Sequence, residues 1–181
     1  GGFGKLVLGQ NDGASDNYGI DAEDVVGEEI QENAGVGLTL NDTDVHSADG
    51  DSTKISYHIP AVGGLTAGVS FTDAGTNGST GTQDIIGYGA QYAMEAAGAS
   101  ITIGAASMTQ DTVTAQDNDS TNYGVKIVSG DLTFIAATAD YEAVGQDEES
   151  TGAGAKMAIS DSLSAAVFSY KVEDNGTAEE Y

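Results

Sequence analysis

Apolar side chains recur at every second position through most of this sequence. Leu65, Ala67, Val69 and Phe71 alternate with Thr66, Gly68, Ser70 and Thr72, the period-two pattern of a strand with one apolar face. Ile86, Tyr88, Ala90, Tyr92 and Met94 stand against Gly87, Gly89 and Gln91, and Ile101, Ile103 and Ala105 against Thr102, Gly104 and Ala106. Tyr123, Val125 and Ile127 likewise face away from Asn122, Gly124 and Lys126. Further runs occupy 3–10, 53–60 (Ile55, Tyr57 and Ile59 against Lys54, Ser56 and His58) and 151–159 (Ala153, Ala155, Met157 and Ile159 against Gly154, Lys156 and Ala158). The stretches 131–141 and 162–172 are β-like but each allows two assignments of its faces. The pattern predicts about nine strands of roughly 8–11 residues, the length at which a tilted strand crosses a bilayer, and no stretch approaches the ~18 apolar residues of a membrane-spanning helix.

The connections alternate in length. Short links are expected at 61–64, 95–98, 129–131 and 160–162, and long ones at 11–52, 74–83, 110–121, 142–150 and from 173 onward. In an antiparallel meander successive connections fall at opposite ends of the sheet, so every short turn gathers at one rim and every long loop at the other, as in outer-membrane barrels. The long connection from Asn11 to Ser52 spans 42 residues, a length that in a compact fold points to function or disorder.

Charge follows the same division. The chain has 29 Asp and Glu against 5 Lys and no Arg, for a formal charge of -24. Only Glu95, Asp131 and Asp161 fall in short turns, and the other carboxylates lie in or beside the long connections. All five Lys fall in or at the end of strands, with Lys54, Lys126 and Lys156 on the face opposite the apolar one. A Lys on lipid near the bilayer midplane costs about 2–4 kcal/mol, so these three are expected to point into a wet lumen. Alternation by itself does not separate an apolar-out barrel from an apolar-in sandwich. The second face, however, is mostly Gly, Ser, Thr and Ala, which suits the wall of a water-filled channel. So acidic a chain does not bind nucleic-acid phosphates, and the absence of Cys removes disulfides and thiolate metal sites.

The run Gly2-Phe3-Gly4-Lys5-Leu6-Val7-Leu8-Gly9-Gln10-Asn11-Asp12-Gly13-Ala14 resembles the strand preceding the inward-folded third loop of Gram-negative general porins, particularly their alphaproteobacterial branch. A long acidic loop (12–51), a strand (Lys54-Ile55-Ser56-Tyr57-His58), a hairpin starting at Leu65-Thr66-Ala67-Gly68 and paired strands such as Ile86-Gly87-Tyr88-Gly89 follow in the same order. The resemblance implies an all-β, antiparallel up-and-down transmembrane β-barrel, about sixteen-stranded in the family, of which 1–181 would be an internal part. It also implies a homotrimer in outer-membrane lipid, passing small hydrophilic solutes and ions, with no cofactor. The carboxyl-terminal stretch from Glu173 reads as a polar loop leading to another strand. The lack of Arg departs from the basic cluster many general porins carry.

On this reading 11–52 folds inward and its acids Asp21, Glu23, Asp24, Glu28, Glu29 and Glu32 form the constriction. Lys5, Lys54, His58, Lys126 and Lys156 form the facing pore wall, and the acid excess gives a weak cation preference. Asp42, Asp44, Asp49 and Asp51 offer closely spaced oxygens of the kind calcium takes, without the EF-hand spacing; an ordinary acidic loop explains them as well. Tyr88, Tyr92, Tyr123 and Tyr170 suit an interfacial aromatic girdle, or plain cross-strand packing. Catalysis is not expected: no carboxylate pair sits in split environments, and neither His stands near a nucleophile. The rival is a secreted or cell-surface acidic β-protein, an adhesin or calcium-binding array.

Overall fold

The nine expected strands all form, each hydrogen-bonded to its neighbour in sequence: β1 (Lys5–Asn11), β2 (Ser52–His58), β3 (Leu65–Thr72), β4 (Thr82–Ala96), β5 (Ala99–Thr112), β6 (Asn118–Ser129), β7 (Leu132–Ala143), β8 (Gln146–Ser160) and β9 (Leu163–Asp174). A tenth, β10 (Thr177–Glu180), pairs with β9 from Asp174↔Thr177. All pairings are antiparallel, in one up-and-down sheet of order β1 to β10. This is a computed structural model, and it describes residues 2–25, 52–73, 82–112, 117–160, 162–174 and 177–180. A short helix, α1 (Ala14–Tyr18), and a 3₁₀ turn (Ala22–Val25) follow β1.

Residues opposed across an antiparallel ladder share a face, so the registers assign every side chain. One row runs Tyr92↔Ile103↔Val125↔Ala136↔Ala153↔Ser169, and the next runs Met94↔Ile101↔Ile127↔Phe134↔Ala155↔Val167. This face is bare. Leu8 is 67% exposed, Ile103 48%, Tyr123 54% and Val167 70%, whereas a sandwich would bury such residues against a second sheet. The opposite face carries rows such as Ser56↔Ser70↔Gly87 and Gln91↔Gly104↔Gly124↔Ala137↔Gly152. It is covered, because α1 packs on β3, β4 and β5 and the 3₁₀ turn packs on β7, β8 and β9.

The two ambiguous strands are resolved by the same registers. In β7 Phe134 faces outward while Ile135, Ala137 and Ala139 face inward and are buried. In β9 Val167 faces outward, and Phe168, Tyr170 and Val172 face inward. Tyr170, expected in the outer girdle, is 6% exposed and stacks on Phe168, with ring centroids 6.1 Å apart. Tyr88, Tyr92 and Tyr123 remain on the exposed face.

The expected long connection at 142–150 is corrected to a tight hairpin. β7 and β8 pair through to Ala143↔Gln146, leaving Val144 and Gly145, whose φ of 78° supplies the left-handed turn residue. Asp140, Glu142, Asp147, Glu148 and Glu149 therefore lie within strands. The links at 110–121 and after 173 shorten in the same way, to 113–117 and 175–176. At roughly 3.3 Å per residue the 15-residue β8 is about 50 Å long, more than a tilted strand needs to cross a bilayer. Its polar end projects past the apolar band. The links at 61–64, 97–98, 130–131 and 161–162 form the turn-side rim of the sheet, and the opposite rim is the loop side.

Candidate functional site

Leaving β1 at Asn11, the chain folds across the covered face and runs over β3 to β9 in 14 residues, 12 to 25. A five-residue helix has little stability by itself; what holds this segment is the wall beneath it. Ala14, Ser15 and Ala22 are 0% exposed, Val25 1% and Ile20 3%. Val25, Ile20 and Ile135 make a small apolar cluster with Phe168 packed against it. Asp12, Asp16 and Asp24 stay exposed, on the side turned away from the wall.

The wall's polar side chains serve the segment's backbone. Ser70 Oγ accepts from the Ala14 amide at 2.8 Å, capping the start of α1. Gln91 Nε2 reaches the Tyr18 and Gly19 carbonyls at 3.3 and 3.4 Å. Asn122, itself fully buried, does most. Its Oδ1 accepts from the Ile20 amide at 3.1 Å, while its Nδ2 donates to the Ile20 carbonyl at 3.2 Å and to Asp21 Oδ1 at 2.9 Å. The side-chain amide thus stands in for a neighbouring strand. A buried backbone amide and carbonyl without such partners would each cost about 1–3 kcal/mol.

Close approach needs an absence of side chains. Beneath the segment, Gly68, Gly89, Gly104, Gly124, Gly152 and Gly154 form a diagonal track across the sheet. A Cβ on Gly124 would lie 2.5 Å from the Ile20 carbonyl oxygen, one on Gly152 would lie 2.6 Å from Ala22 Cβ, and one on Gly89 would lie 2.7 Å from Tyr18 Cβ. Real Cβ atoms do not come so near. The segment is seated in a groove floored by backbone.

Tyr18 anchors the near end: its hydroxyl is hydrogen-bonded to His58 Nδ1 at 2.9 Å, over Gly68. Burial holds the phenol above its ordinary pKa of 10.0. The folded state favours the neutral form, so this contribution is whole below pH 10.0 and is lost only as alkali ionises the seated phenol. Tyr18→Phe keeps the ring but removes the bond, worth about 0.5–1.5 kcal/mol. Amide hydrogen exchange at Tyr18 and Gly19 is expected to quicken roughly two- to tenfold; unchanged exchange would show that the bond holds nothing.

Of the acids expected at a constriction, Asp21 is half-buried on Asn122 and Asp24 is exposed beside it. Glu23 lies in the 3₁₀ turn. Glu28, Glu29 and Glu32, and the calcium candidates Asp42, Asp44, Asp49 and Asp51, lie outside the described residues. Among the described residues no group of three or more His, Asp or Glu could hold a metal ion. Lys5 and His58 oppose each other at the turn-side end of β1 and β2. Lys54, 3% exposed, is on the loop side opposite Gly9. Lys126 stands between Thr102 and Ile135, and Lys156 between Thr133 and Ala166. Of this basic set, His58 touches the segment through the Tyr18 hydroxyl. Sequence reasoning did not find Asn122, Ser70, Gln91 or the glycine track; its one signal was glycine at covered-face positions of β3, β4, β5, β6 and β8.

A family model described as Gram-negative porin matches residues 1–181. Comparison with curated proteins gave no match.

Proposed function

The chain belongs to the Gram-negative porin family, and from that membership we propose that it walls a water-filled channel for passive diffusion of small hydrophilic solutes and ions. Its place is the outer membrane of a Gram-negative bacterium, and its all-β antiparallel sheet is of the barrel-forming kind. The observation that carries the reading is the sorting of faces. Rows of Ile, Val, Leu, Phe and Tyr lie bare on one side, where lipid would cover them, while Gly, Ser, Thr and Asn line the other. A diffusion channel, and not an enzyme, is what this wall supports.

The proposal continues with 11–52 as the constriction loop, its acidic part facing the lumen and Lys5, Lys54, His58, Lys126 and Lys156 in the pore wall. The seated stretch 12–25 supports it, since that segment crosses the inner wall instead of standing off the rim. Assembly as a homotrimer in outer-membrane lipid belongs to the same proposal, following the family. The carboxylates of Asp12, Asp16, Asp21 and Asp24 outnumber nearby Lys, and a ring of acids favours cations. That preference is weak once salt approaches 1 M, where screening shortens to ~3 Å.

Planar-bilayer recording of the full-length protein tests this. Stable open channels with a reversal potential on the cation side in dilute salt, moving toward zero in concentrated salt, are the expected result. Anion selectivity would remove the constriction assignment, and absence of conductance would remove the channel.

A further inference from the structure

The registers fix where each charge lies along the strands as well as which face it occupies. On the loop side of the seated segment, the inner face carries Glu148 opposite Asp174, with the buried cation Lys54 on β2. The segment itself adds Asp12, Asp16, Asp21 and Asp24. On the turn side the order reverses. Lys126 is the next inward residue beyond Gly124, and Lys156 the next beyond Gly154, so both begin where the segment ends. Lys5 is on the inner face at the turn-side rim. Among the described residues the turn-side carboxylates are Glu95, at the last inward position of β4, and Asp131 in the β6–β7 turn, both at the outermost rim.

Lys126 and Lys156 are separated by two strand spacings and one step along the strand, roughly 10 Å sideways at ~4.8 Å per strand. Each has a Thr hydroxyl on the adjoining strand, Thr102 beside Lys126 and Thr133 beside Lys156. Among the described residues neither Lys forms an ion pair, and neither is buried. Their charge is therefore available to the lumen.

We propose that this wall is bipolar along the pore axis: an acidic half from the loop-side mouth through the seated segment, in series with a basic half set by Lys126 and Lys156. The inference rests on the channel reading above. Mobile cations gather in the first half and mobile anions in the second, because each wall section attracts counter-ions over a Debye length of ~10 Å at 0.1 M salt. A voltage of one sign drives both carriers toward the junction and fills it. The opposite sign drives both away and empties it. Current is then larger in one direction than in the other, and small anionic solutes dwell on the turn side while cationic ones dwell on the loop side.

The test is the current–voltage curve of single channels of the full-length protein, compared with Lys126→Gln/Lys156→Gln and Lys126→Glu/Lys156→Glu double variants. Expected for the native protein are unequal currents at equal and opposite voltages in salt near 0.1 M, converging in salt near 1 M where screening falls to ~3 Å. The Gln variant should lose most of the inequality and the Glu variant all of it, with a stronger cation preference. Unchanged heat-dependent mobility of both variants in detergent gels shows the barrel intact. Native channels with symmetric currents in dilute salt, or asymmetry untouched by the substitutions, would overturn the bipolar wall while leaving the channel standing. Absence of conductance in the native protein would overturn both.

Discussion

Gly124→Val is expected to lift the seated segment, and so to widen the proposed constriction, without dismantling the barrel. Gly124 lies in β6, paired on both sides with inner-face residues, Gly104 and Ala137. A Cβ there would lie 2.5 Å from the Ile20 carbonyl oxygen, and valine adds two methyl groups beyond it. Either the wall or the segment must move. The wall is held by ladders on both edges of β6, eleven register pairs to β5 and eleven to β7. Ile20 is held by the Asn122 amide and by contact with the glycine floor. Overpacking costs about 1–3 kcal/mol where a site can adjust, and the weaker partner adjusts first. The segment should lift, breaking the bonds between Asn122 and Ile20. Higher single-channel conductance and faster permeation of larger sugars are the expected readouts, at unchanged heat stability of the assembled barrel. Ala136→Val, placed on the bare face, supplies the control and should alter neither. Native conductance in Gly124→Val would mean that residues 12–25 do not limit the pore.

Which parts of this arrangement were legible in the sequence follows from where a single periodicity exists. From β2 to β6 one face meets lipid and the other water or the segment, so the contrast between faces survives in the residue types: Ile55, Tyr57 and Val69 against Ser56, His58 and Ser70. At the loop-side ends of β7, β8 and β9 the outward face meets water, while Ala139, Ala143, Ser150 and Val172 stay buried on the inner face. Asp140, Glu142, Asp147 and Glu149 take the outward positions, where apolar residues stand elsewhere, so the alternation changes phase where the apolar band stops although the hydrogen-bonded ladder continues. The like-charge pairs there, Asp140↔Glu149 and Glu142↔Asp147, are unfavourable in a sheet, yet in water salt screens them and the backbone ladder persists. In β7 and β9 the contrast fails for another reason. The wall beneath the 3₁₀ turn is apolar on both faces, so Ile135 and Phe168 look as suited to lipid as Phe134 and Val167. Only Val25 and Ile20, supplied from more than 100 residues away, decide which side they take.

The glycine track was hidden by its own simplicity. Glycine on the inner face reads as a small pore-lining residue, and six of them in one diagonal become a seat only when the registers align them. Asn122 was hidden similarly, because a lone polar residue on a polar face has no periodic signature. Its role depends on the Ile20 backbone, which carries no side-chain signal at all. Motif reading detects side-chain patterns, whereas this seat is built largely from main chain.

The sorting of faces itself can be tested at two adjacent positions. Lys126 points inward and is exposed to the lumen; Val125 points outward between Ile103 and Ala136, with Tyr123 and Ile127 as the next outward residues on either side along β6. Val125→Lys should cost about 2–4 kcal/mol, the penalty for a lysine facing lipid near the bilayer midplane. Lys126→Gln, one residue away on the same strand, should change stability by no more than about 0.5 kcal/mol, as for ordinary surface sites. Both numbers come from urea unfolding of the full-length protein in lipid vesicles. The comparison discriminates because, in water, the same half-exposed Val125 would accept lysine at almost no cost. A penalty that appears in vesicles assigns the bare rows to the hydrocarbon of the membrane. Equal, small effects at both positions would mean that these rows face something wet, and the diffusion channel would have to be abandoned along with the membrane-spanning sheet.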